Sequence, residues 1–448
     1  MSAEVDLGEA RGPSGEAGPA SYRRIASLAV PALVVLAAEP IYLLIDTAVV
    51  GHLGAIPLAA LAAGAAVMGL AGFTGAVLAY GTTARAARRF GAGDRQGAVA
   101  EGVQGTWIAL AAGLAMVALV QFLAGPLASL MGDDAAVAAS AERWLRVAVF
   151  GAPFLLVTAS GQGWMRAVQD VKRPMYFVCV AFLISAVLAP VLVYPAGLGL
   201  IGSAWANAVA QVIAGSLFLL ALRREADSLR PDRSLLSKQL VANGDLIVRG
   251  TAMQACTLSA TAVAARVGAT SLAAHQIGIQ LWFFASLALD AVAIAAQALI
   301  GADLGAGRTV AARSSAKRVT WVGLGYGTVF LIGVLVLLPV LPLLFTSDAA
   351  ARDQLDLVWP WLVVMLPVAG VVYALDGVLL GAGDLRFTRD MAVVSALSWL
   401  PFIWLTLAFG WGLTGIWAGL AVYMLVRLAL ILWRMRSGAW VVTGAERV

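Results

Sequence analysis

Long apolar stretches alternate with short polar segments along almost the whole chain. A stretch of about 20 apolar residues is long enough to cross a bilayer as a helix. Twelve such stretches are centred near residues 37, 72, 114, 156, 183, 211, 254, 286, 329, 366, 398 and 424. The pattern therefore predicts an all-α polytopic membrane protein with twelve transmembrane helices.

The two halves of the chain resemble each other at a nearly constant spacing. Pairs separated by 214 residues are Gly54 and Gly268, Gly91 and Gly305, and Pro153 and Pro367. Each repeat holds six predicted helices, an even number, so both repeats enter the membrane from the same side. We therefore expect two parallel six-helix lobes, related by an axis along the membrane normal, with a ligand site between or within them.

Domain boundaries follow from the repeat and from the distribution of charge. The predicted order is a disordered tail (1–21), an N-terminal lobe with helices 1–6 (22–224), a linker (225–243), a C-terminal lobe with helices 7–12 (244–436) and a second tail (437–448). Lys and Arg cluster in alternate loops, including the linker. By the positive-inside rule, both tails and the linker are predicted to be cytoplasmic in a bacterial-type cell membrane.

Composition excludes several other classes of protein. Of the 448 residues 61% are apolar and only 12% are charged, with a mean hydropathy of +0.89. The net charge of +5 does not indicate a nucleic-acid partner, because the basic residues are divided among alternate loops. The two cysteines fall in apolar segments, and no His-Glu-x-x-His or Gly-Lys-Ser/Thr motif is present. We therefore expect no enzyme activity, no cofactor and no metal site.

Two carboxylates in the first apolar segment, Glu39 and Asp46, are the strongest candidates for function. An ionisable side chain at the bilayer centre costs about 2.5–3.5 kcal/mol, so such residues usually face a cavity or handle ions. Their spacing corresponds to about 700° of helix rotation, which predicts that both lie on one helix face. Pro40 lies between them and predicts a kink. Since two close carboxylates are unfavourable when both are charged, the pair predicts an ion-coupling site for H⁺ or Na⁺.

The acidic pair is confined to the N-terminal half, because the residues 214 positions later are Met253 and Ala260. Other polar side chains in the apolar segments are candidates for a substrate cavity, since amides and rings can bind polar or cationic groups. These tentative cavity residues are Tyr42, Gln162, Asn207, Gln280 and Asp290. For Asp290, a functional role and a structural hydrogen bond between helices both remain open.

Four further residues receive structural interpretations. Asp245 and Arg249 are four residues apart, which predicts a salt bridge within one helix turn. Asp376 lies near the cytoplasmic end of its segment and is interpreted as a partner for donors from loops. Trp440 stands at a segment end, as expected for the aromatic belt at a membrane surface.

Several motifs together resemble the multidrug and toxic compound extrusion (MATE) family, in particular its DinF-type branch. The motifs are EPIYLLIDTAVVGHLG (39–54), GDLIVRG (244–250), RVGATSLAAHQI (266–277), LALDAVAIAAQALIG (287–301) and DGVLLGAGD (376–384). The resemblance covers residues 22 to 436. It implies a V-shaped, two-lobed, cation-coupled antiporter that exports organic, cationic or amphipathic compounds, with Asp46 in coupling.

The chain also departs from the family pattern. Many members carry a second aspartate in the fifth helix, in the pattern Asn-x-x-Leu-Asp, where this sequence has Ser185 and Ala189. This difference leaves Glu39 as the candidate partner of Asp46.

The predicted function is secondary active antiport of small organic compounds against H⁺ or Na⁺ by alternating access. The protein is expected to act as a monomer in the lipid bilayer. The alternative is a lipid-linked oligosaccharide flippase of the same superfamily, which needs a basic cavity for its pyrophosphate. Almost every Arg and Lys lies in a predicted loop, and this distribution argues against the flippase.

Overall fold

The computed structural model of the protein describes residues 20–130, 134–346 and 348–446. Most of the predicted N-terminal tail (1–19) and the last two residues of the C-terminal tail therefore lie outside the described residues. In the N-terminal lobe, a 3₁₀ turn at Val149–Gly151 links two short helices. The helices of this lobe are α1 (Tyr22–Gly51), α2 (Ala55–Gly91), α3 (Arg95–Ser129), α4 (Ala135–Ala148), α5 (Ala152–Ala167), α6 (Lys172–Val193) and α7 (Leu200–Glu225).

The C-terminal lobe begins earlier in the chain than predicted. Its first helix starts at Arg233, so part of the predicted linker (225–243) is helical. The helices of this lobe are α8 (Arg233–Val267), α9 (Ala269–Gly305), α10 (Thr309–Leu337), α11 (Leu341–Phe345), α12 (Ala349–Asp356), α13 (Trp359–Gly381), α14 (Leu385–Phe409) and α15 (Gly412–Ser437).

The all-helical prediction is confirmed, because every predicted span coincides with a helix or with a broken pair of helices. Within the described ranges, eleven segments are long and apolar enough to cross a membrane, with α4 and α5 forming one of them. Helices suit this environment because they satisfy their backbone hydrogen bonds internally. The remaining predicted span, the seventh, corresponds to α8, which is 35 residues long but more polar and packs against α14 of its own lobe.

The sequence repeat reappears as a repeat of helices. Helices α2 and α9 are both 37 residues long, and each starts and ends 214 residues from the other. The break between α4 and α5 has its counterpart between α12 and α13. The aspartates Asp134 and Asp348, also 214 residues apart, cap α4 and α12 by accepting hydrogen bonds from backbone N–H groups. The repeat thus extends to the ends of individual helices.

The two lobes meet where α2 and α9 approach each other at equivalent glycines. A Cβ atom at Gly91 would lie 2.0 Å from the carbonyl oxygen of Ala302, and one at Gly305 would lie 2.0 Å from that of Arg88. Only glycine permits backbones this close. Because residues 88 and 302 are themselves 214 apart, the contact is symmetric. The axis between the lobes therefore passes close to these two glycines.

The C-terminal tail returns to the helices instead of leaving them. Gly438 ends α15 with a φ of +68°, in the left-handed region that favours glycine. Trp440 then packs into the core of the C-terminal lobe, where it is only 1% exposed. The prediction that Trp440 belongs to an interfacial belt is wrong, because the turn at Gly438 directs the chain inward.

Candidate functional site

Asp46 lies on α1 in the interior of the N-terminal lobe. Its carboxylate is 1% exposed, and Oδ2 accepts a hydrogen bond of 2.9 Å from the hydroxyl of Ser203 on α7. Among the described residues, Oδ1 has no hydrogen-bond partner and no cation lies within ion-pair distance. A buried carboxylate is costly when it is charged and unpaired. The site can therefore accept a proton or another cation at Oδ1.

Aromatic and amide side chains surround this carboxylate. Tyr42, one turn before Asp46 on α1, is buried and stacks on Phe182 of α6. Its hydroxyl accepts a 3.4 Å hydrogen bond from the amide of Asn207 on α7. Ser185 and Ala189, which occupy the places of the family's Asn-x-x-Leu-Asp motif, are both fully buried on α6. The structure thus brings Tyr42 and Asn207 together with Asp46.

Glu39 has different surroundings from Asp46. Its side chain is exposed to a cavity of about 330 Å³ that lies among α1, α2, α5, α6, α7 and α9. Pro40 lines the same cavity, and Pro31 is a second proline within α1. The predicted common face does not give the two carboxylates a common environment, because different helices cover the two parts of α1. Glu39 meets the cavity, whereas Asp46 meets α7.

Of the other tentative cavity residues, only Gln162 lines this cavity. Its side-chain oxygen accepts a hydrogen bond from Arg166, which lies one turn later on α5 and also lines the cavity. Gln280 is exposed on α9, outside the cavity. Asp290 lies nearby, close to Tyr80 of α2, and Tyr80 itself forms part of the cavity wall. The substrate residues proposed from the sequence therefore do not share one site.

Asp290 also belongs to an ionic cluster in the C-terminal lobe. Asp376 on α13 pairs with Arg249 of α8 and, at 3.2 Å, with Arg427 of α15. Arg427 also donates a 3.1 Å hydrogen bond to the Tyr423 hydroxyl. The carboxylate of Asp290 lies within electrostatic range of all three charged groups of this cluster.

The predicted salt bridge between Asp245 and Arg249 is wrong. Asp245 pairs with Arg389 of α14 at 2.6 Å, while Arg249 reaches Asp376. The partners of Asp376 are likewise helix residues and not donors from loops. Asp245 and Arg249 thus each pair with an oppositely charged residue on another helix of the same lobe.

Two buried cations were not expected from the sequence. Arg166 lies within α5 and not in a loop, and it is only 6% exposed. Arg427 received no assignment, although it stands in the middle of the last apolar segment and is buried there. Charge inside an apolar stretch is the signal that identified Asp46, and it would have identified Arg427 as well. The distribution of basic residues is therefore a weaker argument against a basic cavity than the sequence suggested.

A further network joins the two lobes at one end of the molecule. Arg88 of α2 donates to the backbone oxygens of Ala382, at 3.1 Å, and of Val442 in the C-terminal tail, at 2.8 Å. Glu446 of the tail pairs with both Arg89 and Lys238 at 2.6 Å. The tail thus connects α2 with α8 and α9, beside the Gly91–Gly305 contact.

Two pseudo-symmetric helical lobes, with polar groups buried at membrane depth and a cavity bordered by both, define a two-lobed membrane transporter. Comparison with known proteins agrees with this class. The MatE family model matches residues 31–191 and 246–405. The chain belongs to this family, whose members are multidrug and toxic compound efflux transporters and not enzymes.

Individual relatives match over nearly the full chain. Protein DETOXIFICATION 44, chloroplastic, of Arabidopsis thaliana is 31% identical over 433 residues, which cover 93% of this chain and 83% of the relative. DNA damage-inducible protein F of Escherichia coli is 29% identical, with 92% of each chain covered. A crystal structure of MATE in the bent conformation superposes with a TM-score of 0.86, at 21% identity, and covers 93% of this chain and 96% of the other. The resemblance stated from the sequence is confirmed.

Proposed function

We propose that the protein is a secondary active antiporter that exports small organic compounds in exchange for H⁺ by alternating access. The observation that carries this proposal is the environment of Asp46, which is a buried carboxylate with one hydroxyl donor and no counter-ion among the described residues. Binding of a proton removes the charge and with it the cost of burial. Asp46 therefore responds strongly to the proton concentration on the side to which it is open.

The geometry favours H⁺ over Na⁺ as the coupling ion. A proton needs only the free Oδ1 of Asp46. A sodium ion needs several oxygen ligands to replace its hydration shell, and around Asp46 the structure supplies Ser203 and the more distant Tyr42 hydroxyl. Na⁺ coupling is the second candidate, and the transport experiment below separates the two ions.

Proton binding is coupled to substrate release through α1, because this helix carries both Asp46 and Glu39. Protonation of Asp46 changes the interaction of α1 with Ser203 on α7, while Glu39 contributes to the cavity wall. Pro40 lies between the two positions and lacks the amide hydrogen that would stiffen the helix there. Bending of α1 at Pro40 moves Glu39 and displaces the bound compound. In this scheme Glu39 assists coupling from the substrate side.

The proposed setting is the inner membrane of a bacterial-type cell, with a monomer whose tails are both cytoplasmic. The clustering of basic residues in alternate loops supports this orientation. It places the network of Arg88, Arg89 and Glu446 on the cytoplasmic side. The contacts of that network then correspond to a state that is closed toward the cytoplasm.

The test is transport by the purified protein in proteoliposomes, with a pH gradient or a Na⁺ gradient imposed in separate experiments and a set of fluorescent organic compounds of different charge as substrates. We expect a pH gradient alone to drive uptake into inside-acidic vesicles. Asp46→Asn should abolish this uptake and the accompanying proton release while the protein remains folded. Asp227→Asn, at an exposed loop position, serves as the matched control.

Two results would contradict the proposal. Gradient-driven transport at the wild-type rate by Asp46→Asn would remove Asp46 from coupling. Transport driven by a Na⁺ gradient but not by a pH gradient would show that the antiport is coupled to Na⁺ instead of H⁺.

A further inference from the structure

The cavity beside α1 contains charged groups of both signs. Most of its lining is apolar, formed by small and aliphatic side chains of α1, α2, α5, α6, α7 and α9. Its polar lining residues are Glu39, Tyr80, Thr158, Gln162, Arg166 and Gln211. An apolar pocket of this size with a few placed polar groups is typical of a site for a small organic ligand. The placed charges then determine which ligand fits.

Arg166 is the buried cation of this cavity. Its side chain donates to the neutral oxygen of Gln162, and no carboxylate of the described chain lies within ion-pair distance. Asp290 acts on it only at longer range. A guanidinium has five N–H donors in a planar fork that matches a carboxylate. One neutral acceptor leaves most of these donors available on a side chain that is 6% exposed.

Glu39 is the anion of the same cavity. It projects from α1, whereas Arg166 belongs to the last turn of α5. The structure records no hydrogen bond or ion pair for Glu39 within the described residues, and the two charges do not pair with each other. A cavity that holds an acid and a base apart presents complementary groups to a ligand that carries both charges.

We propose that the cavity binds zwitterionic amphipathic compounds, with the ligand's ammonium group at Glu39, its carboxylate at Arg166 and its apolar body against the aliphatic wall. This inference rests on the proposed export function and specifies its substrate class. A purely cationic compound leaves Arg166 desolvated without an anion, and a purely anionic one leaves Glu39 without a cation. Because a buried group that loses its partner is penalised, the zwitterion is preferred over both.

The test uses three forms of one fluorescent molecule. Nε-dansyl-L-lysine is a zwitterion, its methyl ester is a cation and its Nα-acetyl derivative is an anion, while the apolar body stays the same. Binding to the purified full-length protein in detergent is followed by dansyl fluorescence. We expect the zwitterion to bind about tenfold or more tightly than either derivative.

Variants assign each charge to its residue. Arg166→Gln should weaken binding of the zwitterion and the anion by about tenfold and leave the methyl ester unchanged or improved, and Arg166→Lys should restore part of the loss. Glu39→Gln should weaken the zwitterion and the ester but not the anion. Arg223→Gln, at an exposed position on α7, is the matched control.

Equal binding of all three probes, absence of zwitterion binding, or wild-type zwitterion affinity in Arg166→Gln would overturn the inference. Its failure is distinguishable from failure of the proposed function. Transport that depends on Asp46 and a pH gradient, together with equal affinity for the zwitterion and its ester, would retain the antiporter and reject the zwitterion. Zwitterion binding that depends on Arg166, in the absence of gradient-driven transport, would retain the zwitterion site and reject the antiporter.

Discussion

The two lobes share a scaffold, but one buried carboxylate in each lobe has a contrasting environment. In the N-terminal lobe, Asp46 has a serine hydroxyl and no counter-ion among the described residues. In the C-terminal lobe, Asp376 lies between Arg249 and Arg427. A charge that is already neutralised responds little to a proton, whereas an unpaired one responds strongly. The repeat thus preserves packing, while the charges around these two carboxylates differ between the lobes.

The largest expected effect is a difference in stability between two matched variants, Asp376→Asn and Asp46→Asn. Asp376→Asn leaves the buried Arg427 and the half-buried Arg249 without their shared carboxylate, which should destabilise the protein by about 3–5 kcal/mol. Asp46→Asn removes a buried carboxylate that lacks a counter-ion, so stability should stay the same or rise. The measurement is the thermal unfolding of both variants in detergent. If Asp376→Asn melted with the wild type while Asp46→Asn was destabilised, the contrast between the lobes would be wrong.

An intermediate effect tests the equivalence of the two scaffolds. Gly91→Ala and Gly305→Ala each place a Cβ atom 2.0 Å from a backbone oxygen of the other lobe. Overpacking of this kind costs about 1–3 kcal/mol, and the symmetry of the contact predicts similar losses for the two variants. Melting temperature is the measurement. Gly69→Ala on α2 is the control, because its Cβ atom meets no atom within 4 Å. Wild-type stability in either variant would argue against the close contact.

The smallest expected effect concerns the C-terminal tail, which follows the last helix of the second repeat. The hydrogen bond from Lys238, with Arg89 nearby, holds the pKa of Glu446 below its ordinary value of 4.5. The carboxylate therefore stabilises the attached tail fully above that ordinary value, and this contribution is lost as pH falls through the lowered pKa. Since these ion pairs are partly exposed, the contribution is less than about 1 kcal/mol.

Hydrogen exchange of residues 438–446 measures this attachment. Protection, measured as the exchange rate relative to the intrinsic rate at the same pH, should be high at neutral pH and lower once Glu446 is protonated, and Glu446→Gln should lose protection at neutral pH. Asp227→Asn is again the control. If exchange at pH 7 were identical in Glu446→Gln and the wild type, the ion pairs of the tail would contribute nothing measurable.

Much of the fold was readable from the sequence, but less of the site. Apolar length located the helices, and the 214-residue spacing of glycines such as Gly91 and Gly305 indicated the two lobes. Asp46 was identifiable because charge is rare within an apolar segment. The environments of Glu39 and Arg166 were not, because they depend on which helices cover each turn. The pairing of Asp245 with Arg389 and not with Arg249 was hidden for the same reason.

The sequence by itself determined the membrane class, the helix positions, the internal repeat and the family, since all of these depend on periodicity and local composition. Only the tertiary structure decided that Asp46 is buried against Ser203 while Glu39 faces a cavity. It also decided that Arg166 shares this cavity and that Asp376 lies between two arginines. These facts concern distances between residues far apart in the chain. The free energy of a buried charge depends on such neighbours, and local sequence does not specify them.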